Sequence, residues 1–129
     1  MDHIEFEMSL MDMLLAGDNE ILEGLRHQYK NSTVKTREFT GAGFYTDYLI
    51  SKGIASVAEG KTFQFGDIYA SYENIEVAFC FVLFVNKGYL SILEGYTLME
   101  KTWPDEYSKV ILKYKGVGGK RNLEELKGI

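Results

Sequence analysis

Glu94 stands in the stretch GYLSILEGYT, where every other neighbour is apolar, aromatic or small. Alternation along a strand places its side chain on one face with mostly apolar company, so we expect a half-buried carboxylate. A buried charge needs a partner or a raised pKa, and Arg37 is the natural candidate cation. A structural role is the favoured interpretation, either as an ion pair with Arg37 or as an acceptor for backbone N–H groups of the Gly41–Gly43 bend, and a ligand-binding or catalytic carboxylate stays the alternative. The residues that alternation places on the face of Glu94 are Leu90, Ile92, Tyr96 and Leu98.

The other reactive side chains form no recognisable catalytic or metal-binding pattern. Cys80 lies inside AFCFVLF, and a thiol buried in such surroundings is unreactive. His3 and His27 with a single cysteine do not supply a zinc site. The segment 116–120 (GVGGK) lacks the spacing of a phosphate-binding loop and is typical of a flexible turn. The sequence therefore predicts no catalytic residue, no metal and no cofactor.

The alternative role of Glu94 involves a pocket with aromatic walls. A pocket lined by Phe44, Tyr45, Tyr96 and Trp103 would suit a small molecule. The candidate binding residues are Arg37, Phe44, Asp47, Glu94, Tyr96 and Trp103.

Length and charge place the chain among soluble single domains. It has 129 residues, 46% of them hydrophobic and 26% charged, which predicts one domain over residues 1–129. The formal net charge is −5, and residues 1–30 hold seven acids against two bases. The early acids are not typical of a secretory leader, and no apolar run is long enough to span a membrane, so we expect a cytoplasmic protein. A solvated helix surface is the ordinary interpretation of these acids, and a surface that repels nucleic acid or attracts a basic partner is the alternative.

The N-terminal third predicts two short helices. Apolar residues recur at helical spacing over 4–15 and again from Ile21 to Tyr29, with Gly17 between them and Asp18 as the expected N-cap. We expect the acids of this region to face outward. The side chains expected to pack on a sheet are Met8, Met11, Leu15, Ile21, Leu22 and Leu25.

The rest of the chain predicts about five strands joined by short turns. Gly41 and Gly43 indicate a bulge or bend within a first strand. Residues 77–85 are apolar on both faces, as in a central strand, and Asn86–Gly88 predicts a turn to an antiparallel neighbour. The predicted fold is α+β, with two short N-terminal helices packed on one face of an antiparallel sheet. The predicted strands lie within 32–50, near Ile68–Tyr72, and at 77–85, 89–98 and 108–115.

Two segments resemble a widespread family of small bacterial proteins of unknown function. They are REFTGAGFYTD at 37–47 and FVLFVNKGYLSILEGYTLMEKTWP at 81–104. The resemblance implies a bacterial cytoplasmic domain of this size, and it brings no activity, cofactor or catalytic residue.

Taken together, these features favour a non-catalytic binding module that acts through a protein partner of basic character, of the immunity or antitoxin type. The alternative is a small-molecule-binding protein or a small hydrolase with its pocket near Glu94. The lysines at 109, 113 and 115 are typical of a protected sheet edge, so no nucleic acid is expected. No membrane is expected either, because no apolar run is long enough to span one. A homodimer stays open.

Overall fold

The computed structural model describes residues 1–99 and 102–129, and within them it has two α-helices and a seven-stranded antiparallel sheet. The protein is therefore α+β, as predicted. Glu100 and Lys101, which belong to the second resembling segment, lie outside the described residues.

The two helices are α1 (His3–Leu14) and α2 (Glu20–Lys30). The N-cap of α2 is Asn19 and not the predicted Asp18. The Asn19 side chain accepts hydrogen bonds from two backbone N–H groups of the first turn, at 2.9 and 3.1 Å. A cap of this kind satisfies donors that the helix itself leaves free.

Seven strands replace the expected five for two reasons. The segment 32–50 is a hairpin and not one bent strand, because Gly41 turns the chain with a left-handed φ of 82°. The three-residue strand β3 is too short to give a pattern. The strands are β1 (Ser32–Phe39), β2 (Gly43–Ile50), β3 (Phe63–Phe65), β4 (Ile68–Tyr72), β5 (Ile75–Asn86), β6 (Tyr89–Thr97) and β7 (Val110–Tyr114).

The sheet runs in the order β1-β2-β6-β5-β4-β7, with β3 also paired to β5. The apolar segment 77–85 thus lies in an interior strand, as predicted, and the lysine-bearing β7 lies at an edge. One irregularity matters for the site: the register shifts between Phe84 and Val85 of β5, where β6 has one extra residue, Ser91. Leu90 therefore enters the core, whereas Ile92 faces the other way. The expectation that Leu90 shares the face of Glu94 is wrong for this reason.

Side chains of both helices share one core with alternate side chains of the strands. Leu22, Leu25 and Met11 are fully buried there, as expected. Met8 is 54% exposed, which contradicts its predicted packing, and Glu7 is buried instead of facing outward. The buried stripe of α1 is Phe6, Glu7, Leu10, Met11 and Leu14.

Within the part of the chain that the structure describes, no helix is long and apolar enough to cross a membrane.

Candidate functional site

Glu7 on α1 is a buried carboxylate at the centre of a polar network. Arg37 of β1 donates to its Oε2 from Nε at 2.8 Å, and Nη2 of the same guanidinium forms an ion pair with Oε2 at 2.7 Å. The hydroxyl of Tyr48 on β2 donates to Oε1 at 3.0 Å. Arg37 therefore pairs with Glu7 and not with Glu94, so the predicted Arg37–Glu94 pair is wrong. Arg37 lies opposite the buried Thr46 on the core face of the sheet, and Glu94 projects from the other face.

The environment of Glu7 keeps it charged. Burial raises its pKa, but the nearby His3 and Thr46 side chains and the Arg37 guanidinium outweigh burial, so the pKa lies below its usual value. His3 Nε2 is 3.4 Å from Glu7 Oε2, which is longer than a strong hydrogen bond. Neither His3 Nε2 nor Thr46 Oγ1 has a well-formed hydrogen bond among the described residues. The contact of the Arg37 guanidinium with Oε2 is therefore the firmest support of the carboxylate.

The network continues from His3 to the segment that follows the sheet. His3 Nδ1 lies 2.6 Å from the hydroxyl of Tyr107, which also accepts a hydrogen bond from Trp103 Nε1 at 2.9 Å. The backbone N–H of Trp103 donates to the carbonyl of Gly41 at 2.7 Å. The start of α1, the β1–β2 turn and residues 102–107 are thereby joined.

Glu7, His3 and Tyr107 follow the order carboxylate, imidazole, hydroxyl that nucleophilic enzymes use. Tyr107 does not suit the nucleophile's role. It is 4% exposed, its ring stacks on Phe6 at 4.4 Å, and burial raises its pKa. An activated nucleophile needs the opposite shift and access to substrate. The geometry therefore favours a structural network.

A cleft of about 410 Å³ lies over this network. Trp103 and Tyr107 form part of its wall, with the exposed ring of Phe39 at its rim. Beneath it, His3 Nδ1, the Tyr107 hydroxyl and Trp103 Nε1 are hydrogen-bonded to one another. Its described lining residues are His3, Phe39, Gly41, Gly43, Thr102, Trp103, Pro104, Asp105 and Tyr107.

The opposite face of the sheet carries side chains that do not belong to the core cluster, and we call these side chains the open face. The pairing of the strands arranges them in rows, because residues directly opposite each other share a face. The members of the open face are Tyr45, Asp47, Tyr69, Cys80, Val82, Phe84, Ile92, Glu94 and Tyr96, with Thr36 and Glu38 on β1.

Glu94 lies in the middle row of the open face. It is half-buried, as expected, and it stands between Tyr45 of β2 and Val82 of β5. The carboxylate of Glu94, with a smaller contribution from the charge of Glu38, raises the pKa of Tyr45. The polar side chain that the pairing places beside Glu94 is thus Tyr45, and neither Arg37 nor the backbone N–H groups of the Gly41–Gly43 bend.

The six predicted site residues divide between the two faces of the sheet. Arg37, Phe44 and Trp103 lie on the core side, where Phe44 is fully buried against the Trp103 ring at 5.4 Å. Asp47, Glu94 and Tyr96 lie on the open face, where Asp47 accepts a hydrogen bond from the Thr36 hydroxyl at 2.7 Å. A single pocket lined by Phe44, Tyr45, Tyr96 and Trp103 is therefore not formed.

A second buried ion pair holds the C-terminal segment. Arg121 donates to both oxygens of Asp67, from Nε at 2.8 Å and from Nη2 at 2.6 Å, and Nη2 also donates to the carbonyl of Leu14 at 3.0 Å. Asp67 is 3% exposed. The sequence indicates only that 109–121 is basic, because the pairing joins residues 54 positions apart. Among residues 1–99 and 102–129, no group of three His, Cys, Asp or Glu side chains is placed to hold a metal ion.

Comparison with known proteins adds no relative. No family model, no curated protein and no solved structure matches this chain.

Proposed function

We propose that this protein is a non-catalytic binding module and that its open face binds a protein partner. The two N-terminal helices cover one face of the sheet in this arrangement and leave the other face for the partner. The observation that carries the proposal is the composition of that other face. Aliphatic and aromatic side chains lie on interior strands of the sheet but do not belong to the core cluster, and three carboxylates lie beside them.

The shape and chemistry of the open face suit a protein. The open face spans five neighbouring strands spaced about 4.8 Å apart, so it is about 19 Å wide, an extent that suits a protein surface. Tyr45 is 39% exposed, and Tyr69 and Tyr96 are partly exposed. Tyrosine is enriched where proteins meet, because its ring supplies contact area and its hydroxyl a hydrogen bond.

The charges of the open face favour a basic partner. Glu38, Asp47 and Glu94 project from three adjacent strands, and the exposed Lys113 stands at the far edge beside Tyr69. An acidic surface attracts a basic protein and speeds its association. An immunity or antitoxin-type protein that neutralises a basic toxin belongs to this class. A basic toxin-like gene beside the gene of this protein in several genomes is the expectation that this more specific proposal makes.

The experiment is an affinity capture with a matched pair of variants. Ile92→Asp places a charge in the centre of the open face, and Ile4→Asp places the same charge on α1, where Ile4 is 54% exposed. Thermal unfolding first verifies that both variants fold. The tagged wild type, Ile92→Asp and Ile4→Asp are then compared on lysate of the source cells by quantitative mass spectrometry.

A partner of the open face is retained by wild type and by Ile4→Asp, and is lost at least tenfold with Ile92→Asp. Captured proteins that respond equally to both variants would show that the open face is not the binding surface. The recovered protein is then titrated against wild type and Ile92→Asp as purified components, because capture alone does not establish direct binding.

A second candidate function is the binding of a small molecule in the cleft over Trp103. The cleft volume of about 410 Å³ favours it, since ligand pockets span about 300–1,000 Å³. Trp103 is the single tryptophan of the chain, so intrinsic fluorescence reports on the cleft directly. A fragment library screened by this signal, with Phe39→Ala as the variant that opens the rim, tests the idea. Fragments that change the fluorescence of wild type and of Phe39→Ala with the same affinity would count against the cleft.

A further inference from the structure

The middle row of the open face places one exposed aromatic ring between two carboxylates. Tyr45 on β2 pairs directly with Glu38 on β1 and with Glu94 on β6. Directly opposite residues of an antiparallel pair have Cβ atoms about 4.5–5.5 Å apart, so the carboxylates flank the ring at close range on both sides. The pairing register alone dictates this arrangement, because all three side chains share one face.

The chemistry of this row matches a cation. The face of a tyrosine ring attracts positive charge, and a carboxylate on either side adds hydrogen-bond acceptors and negative potential. The raised pKa of Tyr45 records the same negative potential, since Glu94 and Glu38 both contribute to it. Glu38 is exposed and Tyr45 is 39% exposed, so an incoming side chain can reach both.

An arginine fits the row better than a lysine. The guanidinium is planar, so it can lie on the ring while its edge donates to a carboxylate. A lysine ammonium is a compact and strongly hydrated charge, so it gains less from contact with a flat ring. Val82 in the same row, together with Ile92 and Phe84 in the neighbouring row, supplies apolar surface for the stem of a long side chain and for the residues beside it.

We propose that the row Glu38–Tyr45–Glu94 binds an arginine side chain of a basic protein partner. The inference rests on the proposed function, because it names the chemistry by which that same face recognises its partner. The charge of the open face favours a basic protein over a second copy of this chain, because a second copy would bring a further set of these acids to the face.

The test is an NMR titration of the whole protein, labelled with ¹⁵N and with ring-labelled tyrosine. The probe is N-acetyl-arginine amide. Its neutral isostere, N-acetyl-citrulline amide, has the same shape without the charge, and N-acetyl-lysine amide tests the planar geometry. We expect saturable shifts at residues 38, 45 and 94 with the arginine probe, at least tenfold weaker binding of citrulline, and lysine in between.

Variants locate the binding. Tyr45→Leu and Glu94→Gln should each weaken binding of the arginine probe at least threefold. Glu23 is an exposed acid on α2, so Glu23→Gln should leave the binding unchanged. Both face variants keep the backbone spectrum of wild type outside the row. Shifts that follow every surface acid, an equal effect of citrulline, or tighter binding of lysine would each overturn the proposal. So would concentration-dependent self-association in sedimentation velocity that Tyr45→Leu abolishes, because the face would then hold a second copy.

The captured partner separates this inference from the proposed function. If Ile92→Asp releases the partner but Glu38→Gln and Glu94→Gln bind it as wild type does, the open face is the binding surface and the arginine inference fails. If Ile92→Asp keeps the partner, the proposed function itself fails.

Discussion

Replacement of Glu7 by glutamine should destabilise the protein strongly, although the two side chains have the same shape. The substitution removes the charge that pairs with the Arg37 guanidinium and that accepts one hydrogen bond from Arg37 and one from Tyr48. Breaking a buried pair on one side costs about 3–5 kcal/mol when the remaining charge stays buried. The Arg37 side chain is 24% exposed and recovers part of its hydration, so we expect about 2–4 kcal/mol.

Urea unfolding at pH 7 measures this loss, with Asp12→Asn as the matched control. Asp12 lies on the same helix and is exposed, so its neutralisation should change the free energy of unfolding by less than about 0.5 kcal/mol. A double-mutant cycle with Arg37→Met isolates the pair, because the cost of losing Glu7 should fall once its cation is gone.

The pH dependence supplies a second test of the same carboxylate. The pKa of Glu7 is lower in the folded protein than its usual value of 4.5. Its contribution to stability is therefore fully present above that usual value, and it is lost as pH falls through the lower folded pKa. The difference in stability between wild type and Glu7→Gln should shrink as the solution is acidified below about pH 4.5. A constant difference down to pH 2.5, or a cost under about 0.5 kcal/mol at pH 7, would refute the role assigned to Glu7.

Other positions give shorter tests. Leu22→Ala should lower the free energy of unfolding in urea by about 2–4 kcal/mol, because Leu22 is fully buried, and a loss under about 0.5 kcal/mol would show that α2 is not part of the core. Asp67→Asn should cost about 2–4 kcal/mol by the loss of a charged, bidentate pair, and an unchanged urea midpoint would show that the C-terminal segment adds nothing. Cys80, 8% exposed beside Tyr96, should react slowly with a thiol reagent, and Tyr96→Ala should speed the reaction at least tenfold; rapid labelling of wild type would contradict the fold here. Glu94→Gln should cost under about 1 kcal/mol, since its partner Tyr45 is exposed, and a larger loss would favour a structural role.

Elements with a long or uniform pattern could be predicted from the sequence. The apolar run at 77–85, its turn and its antiparallel neighbour are found as β5 and β6. A fully apolar stretch that is followed by a turn is compatible with few structures other than a buried hairpin. The hairpin at 32–50 could not be told from a bent strand, because two glycines close together suit either a bulge or a turn. Strand β3 has three residues and pairs with a distant strand, which no local pattern reports.

The candidate site was harder to predict, because a search for apolar periodicity does not identify charged residues that are buried. The same four-residue spacing joins Ile4 to Met8, which are exposed, and Phe6 to Leu10, which are buried, so apolar spacing alone does not choose between the two stripes. The true stripe contains the charged Glu7, and its cation comes from β1, 30 positions away. Helical spacing from Phe6 and Leu10 was the available signal, and it placed Glu7 on the same face.

The pairing of β2 with β6 connects the core to the open face. Phe44 lies directly opposite Gly95, and a Cβ on Gly95 would stand 2.4 Å from Cε1 of the Phe44 ring, so this position accepts no larger residue without moving the ring. The ring in turn fills the core, where it is 0% exposed. Because side chains alternate, the same register sets Tyr45 against Glu94 on the other face, and a slip of one residue would place the carboxylate in the core. The segments 37–47 and 81–104 meet at this pair of strands, and the fit of the Phe44 ring accounts for the glycine at position 95. The same register brings Tyr45 and Glu94 together on the open face, where we propose that they recognise a partner.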